Sequence, residues 1–354
     1  MGNFSSTAAR LANEIGLSFS GSPSEALRNH TYERVREVAS TFGDVDKLDH
    51  LLELVANSLK VDLRFVRTDQ DIHRIASTFK GTSEITGGYL RNELNEAGTE
   101  GMLALHPGRE SQGFEYLAII DARADKLFRA YFTAWHEVVH VIITPHQLKE
   151  GEVRRTPPRE KRSEPEEILV DQSAARVAFF ERIFRSSLKR AIDREGVMSF
   201  AAIESAVEGS MDGDFDIPEP SLFASARACL RVVKRPACLL QVETMLKKKE
   251  KEKIESPQND LFGFDFEPKP RVANLYKNEQ GATLEIQKNM RVPTDSVIFR
   301  VHRPDSVKER EVQFENQSQW ETSSEGALSP QALTVSAVRR GSYTYGFLAA
   351  RSAS

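Results

Sequence analysis

Apolar residues fill most positions between 132 and 143, and this stretch contains neither glycine nor proline. Such a run predicts one buried helix. Two earlier helices are predicted from apolar residues at helical spacing, at 24–42 and 48–59. Alternation of apolar and polar positions predicts a strand at 61–66, and short apolar runs predict strands at 88–91, 101–105 and 116–121. Residues 1–22 are small and polar, and we expect them to form a weakly ordered lead-in.

A further helix is predicted to begin at Pro165, because proline suits the first turn, with Ser163 or Glu164 as its cap. Amphipathic patterns predict three more helices and then a short strand, at 179–192, 200–207, 221–233 and 236–242. The last two helices have two interpretations. They form either a helix–turn–helix module or a pair packed on the core.

The C-terminal part has a different pattern. An alternating charge run at 246–253 indicates a solvated helix end or a linker. Beyond residue 270, short β-prone runs recur at 283–287, 296–301, 311–314, 333–339 and 342–348. They predict a small all-β domain, either a sandwich or a barrel.

The predicted buried helix carries the sequence His136-Glu137-Val138-Val139-His140. At 3.6 residues per turn, positions 136 and 140 lie on one face, so both imidazoles can bind one zinc ion. Zinc supplies a Lewis acid and acidifies a water molecule, and Glu137 is placed to take the proton. The alternative is a buried helix whose histidines and glutamate are satisfied by neighbouring groups.

A two-histidine zinc site needs a third protein ligand. The downstream helix offers Glu164, Glu166 and Glu167, and carboxylates are also common at helix starts for electrostatic reasons. Glu167 and Asp171 are four residues apart and face the same way. We therefore predict that Glu167 binds the metal and that Asp171 accepts the outer N–H of one histidine.

The two helices together resemble the ImmA/IrrE family of metallopeptidases. The resemblance is carried by the run Arg129–His140 and by Glu167-Ile168-Leu169-Val170-Asp171-Gln172-Ser173-Ala174-Ala175. It implies a zincin-like core with zinc ligands His136, His140 and Glu167 and with Glu137 as general base. The chain departs from the family's usual His-Glu-Leu-Gly-His, because Val138 and Val139 replace leucine and glycine.

The predicted fold class is α+β, in five parts. These are a helical lead-in (1–45), a zinc metallopeptidase core (46–192), a helical extension (193–245), a charged and aromatic linker (246–270) and a β-rich domain (271–354). The length of 354 residues suits two or three domains, and the net charge of −4 does not indicate a polyanionic partner. Two cysteines and no apolar run of 18 residues predict a soluble cytoplasmic protein.

The resemblance implies a zinc endopeptidase that cleaves a specific protein, for which a helix–turn–helix repressor is one candidate, in a stress or mobile-element response. The alternative is a catalytically silent zinc-fold protein that binds a partner through its β domain. The substrate strand is expected to dock on an exposed sheet edge, at 116–121 or its neighbour. Tyr131, Arg129 and Arg176 are the candidates for stabilising the oxyanion.

Three weaker signals concern partners. Residues 145–163 form a basic, proline-bearing segment, predicted to be either a solvated loop or a substrate-docking lid. Gln258, Leu261 and Phe262 resemble the peptide by which bacterial proteins bind the replication sliding clamp, although docking on the protein's own surface is the simpler explanation. The few basic residues near 227–235 are weak evidence for direct nucleic-acid binding.

Overall fold

The computed structural model describes most of the chain, namely residues 2–43, 45–78, 86–96, 98–107, 113–145, 148–149, 152–158, 163–213, 216–254, 266–322 and 326–351. The chain divides into two compact units, residues 1–187 with 207–221 and residues 188–206 with 222–354. Both contain helices and strands, so the α+β class predicted from the sequence is confirmed. The finer division into five parts stays a prediction.

The first unit contains helices on a four-stranded sheet. Its helices are α1 (Gly2–Glu14), α2 (Pro23–Thr41), α3 (Leu48–Ser58), α4 (Asp69–Thr78), α5 (Gly87–Arg91), α6 (Leu127–Ile143) and α7 (Pro165–Val177). Its strands are β1 (Val61–Val66), β2 (Gly101–Leu105), β3 (Tyr116–Asp121) and β4 (Val153–Thr156). Helices α8 (Glu181–Glu195) and α9 (Phe200–Ser210) run across the division between the units.

The sheet of the first unit has the order β1-β3-β2-β4. Strand β1 is parallel to β3, whereas β2 is antiparallel to both β3 and β4. One face packs under α4 and α5, where Met102 and Ile119 join a cluster with Ile72 and Leu90. Because side chains alternate along a strand, Gly101 faces the other way, towards α6. Helix α6, which carries the motif from His136 to His140, therefore lies directly on β2.

Three expectations for this unit are wrong. Residues 88–91 form part of helix α5 instead of a strand, because the Thr86 side chain accepts from the N–H of Tyr89 and starts a helix. Residues 1–22, which we expected to be weakly ordered, contain helix α1, and this helix buries Leu11. The basic segment contains strand β4. The expected docking edge is correct only in its second alternative, because 116–121 is an interior strand whereas its neighbour β1 is an edge strand, as is β4.

The second unit is built on a five-stranded antiparallel sheet in the order β6-β5-β11-β10-β7. Its further helices are α10 (Leu222–Val232), α11 (Lys248–Ile254) and α12 (Val297–His302). Its strands are β5 (Ala237–Met245), β6 (Lys269–Lys277), β7 (Arg310–Asn316), β8 (Glu321–Thr322), β9 (Gly326–Ala327), β10 (Ala332–Arg340) and β11 (Tyr343–Ala350). Phe200 packs on Phe347, and Phe223 packs on Tyr276 and Tyr345. Both predicted helices of the extension thus contact this sheet.

The prediction of an all-β C-terminal sandwich or barrel is wrong in three respects. Residues 296–301 form helix α12, because Ser296 caps its start and the Glu315 carboxylate accepts from the N–H of Val297. Residues 283–287 pair with no strand among the described residues, and a short 3₁₀ helix ends at Thr283. The strand predicted at 236–242 is β5, which lies inside this sheet instead of closing the helical extension.

Some sequence predictions fall outside the described residues. The clamp-like motif with Gln258, Leu261 and Phe262 is one, and part of the basic segment, including Arg159, is another. Across the described ranges, no helix is both long enough and apolar enough to cross a membrane.

Candidate metal centre

Helix α6 carries both motif histidines into the interior of the first unit. From Ala130 to Ile143 nearly every side chain is buried, and His136, Glu137 and His140 are each 0% exposed. A helix apolar on all sides must be covered on all sides, and α6 packs on β2, β3 and α7. His136 and His140 therefore lie one turn apart in a dry environment, with ring centroids 4.7 Å apart.

Helix α7 brings the third side chain to these rings. Pro165 begins the helix and Glu164, one of the two predicted caps, occupies the capping position, so Glu167 lies in the first turn. One carboxylate oxygen of Glu167 lies 3.0 Å from His136 Nε2, and the other lies 3.3 Å from His140 Nε2. The two Nε2 atoms are 3.0 Å apart. Two nitrogens and a carboxylate thus converge on one point.

This group can hold a metal ion. Its three ligand atoms lie within 4.8 Å of one another, and all three residues are buried. Ligands about 2.1 Å from a tetrahedral ion lie about 3.4 Å apart, close to the 3.0 and 3.3 Å separations found here. Unpaired carboxylates and imidazoles are costly to bury, and a cation shared by the three offsets that cost. The residues therefore fit a metal.

The protonation states of the ligands also suit a metal. Burial lowers the pKa of His140 to about 3, so its ring is neutral. Burial would raise the pKa of Glu167, but its close contacts with the rings of His136 and His140 hold it well below its ordinary value, so the group is ionised. Metals bind neutral imidazoles and deprotonated carboxylates. His140 and Glu167 are already in the forms that bind.

The other two glutamates of the α7 start do not join the cluster. Glu164 is exposed at the cap position. Glu166 forms ion pairs with Arg10 and with Arg154 of strand β4. Of the three candidates for the third ligand, only Glu167 reaches both histidines.

Glu137 occupies a separate niche beside the ligands. Thr156 Oγ1 donates to its Oε1 at 2.5 Å, whereas its Oε2 is buried and has no hydrogen-bond partner among the described residues. Burial raises the pKa of Glu137 above its ordinary value. A buried carboxylate oxygen next to a metal site is suited to take a proton from a water molecule.

Asp171 lies one turn beyond Glu167 on α7, and its Oδ1 is 2.8 Å from His136 Nδ1. Such a contact fixes the histidine tautomer, so that Nε2 is the nitrogen facing Glu167. The structure thus brings together the pair that the sequence analysis proposed. His140 differs, because its Nδ1 is buried and has no hydrogen-bond partner among the described residues. The polar contacts of the His140 ring are made through Nε2, with Glu167 and His136.

Replacing Asp171 by Asn should lower metal affinity by about 10- to 100-fold, because the outer acceptor of His136 loses its charge. Competition with a chromophoric chelator measures this. Gln172→Ala, on the exposed side of the same helix, is the matched control and should bind like the parent. Equal affinity of Asp171→Asn and parent would show that Asp171 does not support the site.

None of the three oxyanion candidates reaches the cluster in the described structure. The hydroxyl of Tyr131 is buried and donates to the carbonyl of Ala178. Arg129 pairs with Glu100 and Asp125. Arg176 stacks on the ring of Tyr32. Their contacts direct all three side chains elsewhere.

Two contributors to the site come from β4 and were missed. Arg154 reaches Glu167 Oε1 at 3.4 Å and also contacts Thr144 Oγ1. Thr156 holds Glu137. Arg154 and Thr156 lie on one face of β4, whereas Arg155 between them lies on the other face and pairs with Glu93. One face of β4 is therefore directed at the metal group. Four β residues inside a basic segment carry little sequence signal, although Pro157 marks a strand end.

A cavity of about 640 Å³ opens beside the C-terminal turn of α6. It is lined by Arg10, Glu14, Ile143, Thr144 and Lys149, among others. Thr144 also donates to the backbone carbonyl of His140 at 2.8 Å. The cavity therefore adjoins the turn that carries the second histidine.

Comparison of the chain with protein-family models and with curated proteins finds no match. We therefore infer the function from the geometry of the candidate metal site.

Proposed function

We propose that this protein is a zinc-dependent endopeptidase. The observation that carries the proposal is the buried group of His136, His140 and Glu167 beside an unpartnered oxygen of Glu137. Two histidines and one carboxylate are one of the ligand sets found in catalytic zinc sites, which leave one position open. When bound, zinc supplies a Lewis acid that polarises a peptide carbonyl and acidifies a water molecule.

Glu137 is the acid–base group of this proposal. Its Oε2 accepts a proton from the attacking water, and the same carboxyl group later donates that proton to the departing amine. Burial raises the pKa of Glu137 from its ordinary value in the direction of neutral pH. A general base transfers protons most efficiently when its pKa lies near the working pH. A scaffold that only binds zinc has no chemical need for this buried oxygen, so the geometry disfavours the silent alternative.

A protein substrate fits the surroundings of the site. The edge strand β4 can pair with an extended peptide through backbone hydrogen bonds. The resemblance of the motif helices to the ImmA/IrrE family supports a specific substrate, such as a helix–turn–helix repressor cleaved during stress or in response to mobile elements. Two buried free thiols, Cys229 and Cys238, support a reducing compartment such as the cytoplasm.

The test is a search for new protein N-termini. Zinc-loaded protein is incubated with a lysate of its native host, and N-terminal peptides are compared with those from a lysate treated with His136→Ala. We expect a small set of new N-termini with the parent alone. Identical N-termini in the two samples, with zinc present in the parent, would refute the endopeptidase proposal and favour the binding protein.

A further inference from the structure

The general base of the proposed endopeptidase is held by two residues of neighbouring strands. Thr156 on β4 donates its hydroxyl to Glu137 Oε1, and Gly101 on β2 lies directly against the same oxygen. A Cβ on Gly101 would come within 2.4 Å of Oε1. These two contacts confine one oxygen of the carboxylate and leave the other without a partner among the described residues.

The pairing of β2 and β4 builds this niche. Gly101 and Thr156 are direct partners in the antiparallel register, and the N–H of Glu100 donates to the carbonyl of Thr156 at 2.9 Å. Thr156 is completely buried. Threonine is branched at Cβ and therefore restricted in χ1, so the strand presents the hydroxyl in a defined direction. The hydroxyl position follows from the sheet register.

The asymmetry of the carboxylate has a chemical use. A buried carboxylate with two unpartnered oxygens would pay the full cost of desolvation and could rotate between equivalent positions. A hydroxyl donor on Oε1 stabilises the ionised group and fixes its plane. Oε2 is then the single oxygen able to accept a proton from a bound molecule.

Resting on the proposed function, we propose that Thr156 is the positioning residue of the general base. Its hydroxyl holds Glu137 Oε1 and leaves Oε2 as the oxygen that can accept a proton. Strand β4, which belongs to the segment between the two ligand helices, is thereby part of the catalytic apparatus. Arg154, on the same face of β4, contacts the ligand Glu167, so one short strand contacts both functional carboxylates.

The test uses acetohydroxamic acid as a probe, because it binds zinc through two oxygens and carries protons that a neighbouring carboxylate can accept. Zinc affinity is measured first on the full-length protein, and then the probe is titrated into the zinc-loaded form. We expect Thr156→Val to bind the probe about tenfold more weakly, the loss of one charge-assisted hydrogen bond. Thr156→Ser, which keeps the hydroxyl, should restore probe binding, and zinc affinity should not change in either variant.

Thr31→Val is the matched control. It also removes a completely buried hydroxyl, one that donates to the carbonyl of Leu27 on α2, and it should bind the probe like the parent. The proposal is overturned if Thr156→Val binds the probe normally, if Thr156→Ser is as weak as Thr156→Val, or if Thr156→Val also loses zinc. If the parent binds no zinc, the proposed function is refuted, and this inference, which rests on it, is refuted as well.

Discussion

Replacing Glu137 by Gln should slow cleavage by at least about 100-fold while leaving the metal site intact. Glutamine has nearly the same shape and can keep a hydrogen bond to Thr156, but it cannot accept a proton from water. The loss of a general base lowers the rate by about 100- to 10,000-fold. Metal content should stay at the parental level, because Glu137 Oε1 is engaged by Thr156 and neither oxygen belongs to the ligand group.

The measurement pairs cleavage kinetics with elemental analysis of the same samples. The substrate is the protein identified by its new N-terminus. Glu166→Gln is the matched control, since Glu166 is a neighbouring carboxylate that pairs with Arg154 and Arg10. Cleavage by Glu137→Gln at the parental rate would remove Glu137 from the proposed mechanism.

Replacing Gly101 by Ala should strongly reduce cleavage although Gly101 does not belong to the group that can hold the metal. The added Cβ would lie 2.4 Å from Glu137 Oε1 and 2.7 Å from Thr133 Cγ2. Because α6 and β2 are buried here, the carboxylate has to move, and a displacement of a catalytic group by about 1 Å costs on the order of 100-fold in rate. Metal affinity should stay near that of the parent.

Gly88→Ala is the control for this substitution, because the nearest atom to its new Cβ is Thr86 Oγ1 at 3.9 Å. Both variants are compared by rate, by metal content and by the midpoint of chemical unfolding. A normal cleavage rate for Gly101→Ala would show that β2 and Glu137 can move apart without loss of activity. A parallel loss of metal would place the damage in the fold of the whole site.

Gly101 lets helix α6 lie close to strand β2, because a Cβ at this position would meet Glu137 and Thr133 of the helix. A glycine inside a predicted strand is a known sign of close backbone approach. That signal was present in the sequence.

The ligand helices could be predicted because their information is local. The spacing of His136 and His140 and that of Glu167 and Asp171 fix shared faces through helix geometry alone. Strand β4 could not be found in this way. Its four residues are held by pairing with β2, which lies about fifty residues earlier, and pattern reasoning does not see such nonlocal pairing.

The C-terminal unit illustrates the same limit. The run at 296–301 is rich in valine and isoleucine and was predicted to be a strand, yet it forms helix α12. The deciding contact comes from Glu315, which is distant in sequence and accepts hydrogen bonds from Ser296 and Val297 at the helix start. Tertiary contacts of this kind override β propensity.

The metal content of the purified full-length protein tests the central claim most directly. After purification under metal-replete conditions, elemental analysis is carried out on the parent, on Glu167→Ala and on Glu166→Ala as the neighbouring control. We predict about one zinc ion per chain in the parent and in Glu166→Ala and a severe loss in Glu167→Ala, because only Glu167 reaches both histidines. A parent without zinc or any other divalent metal would contradict the account.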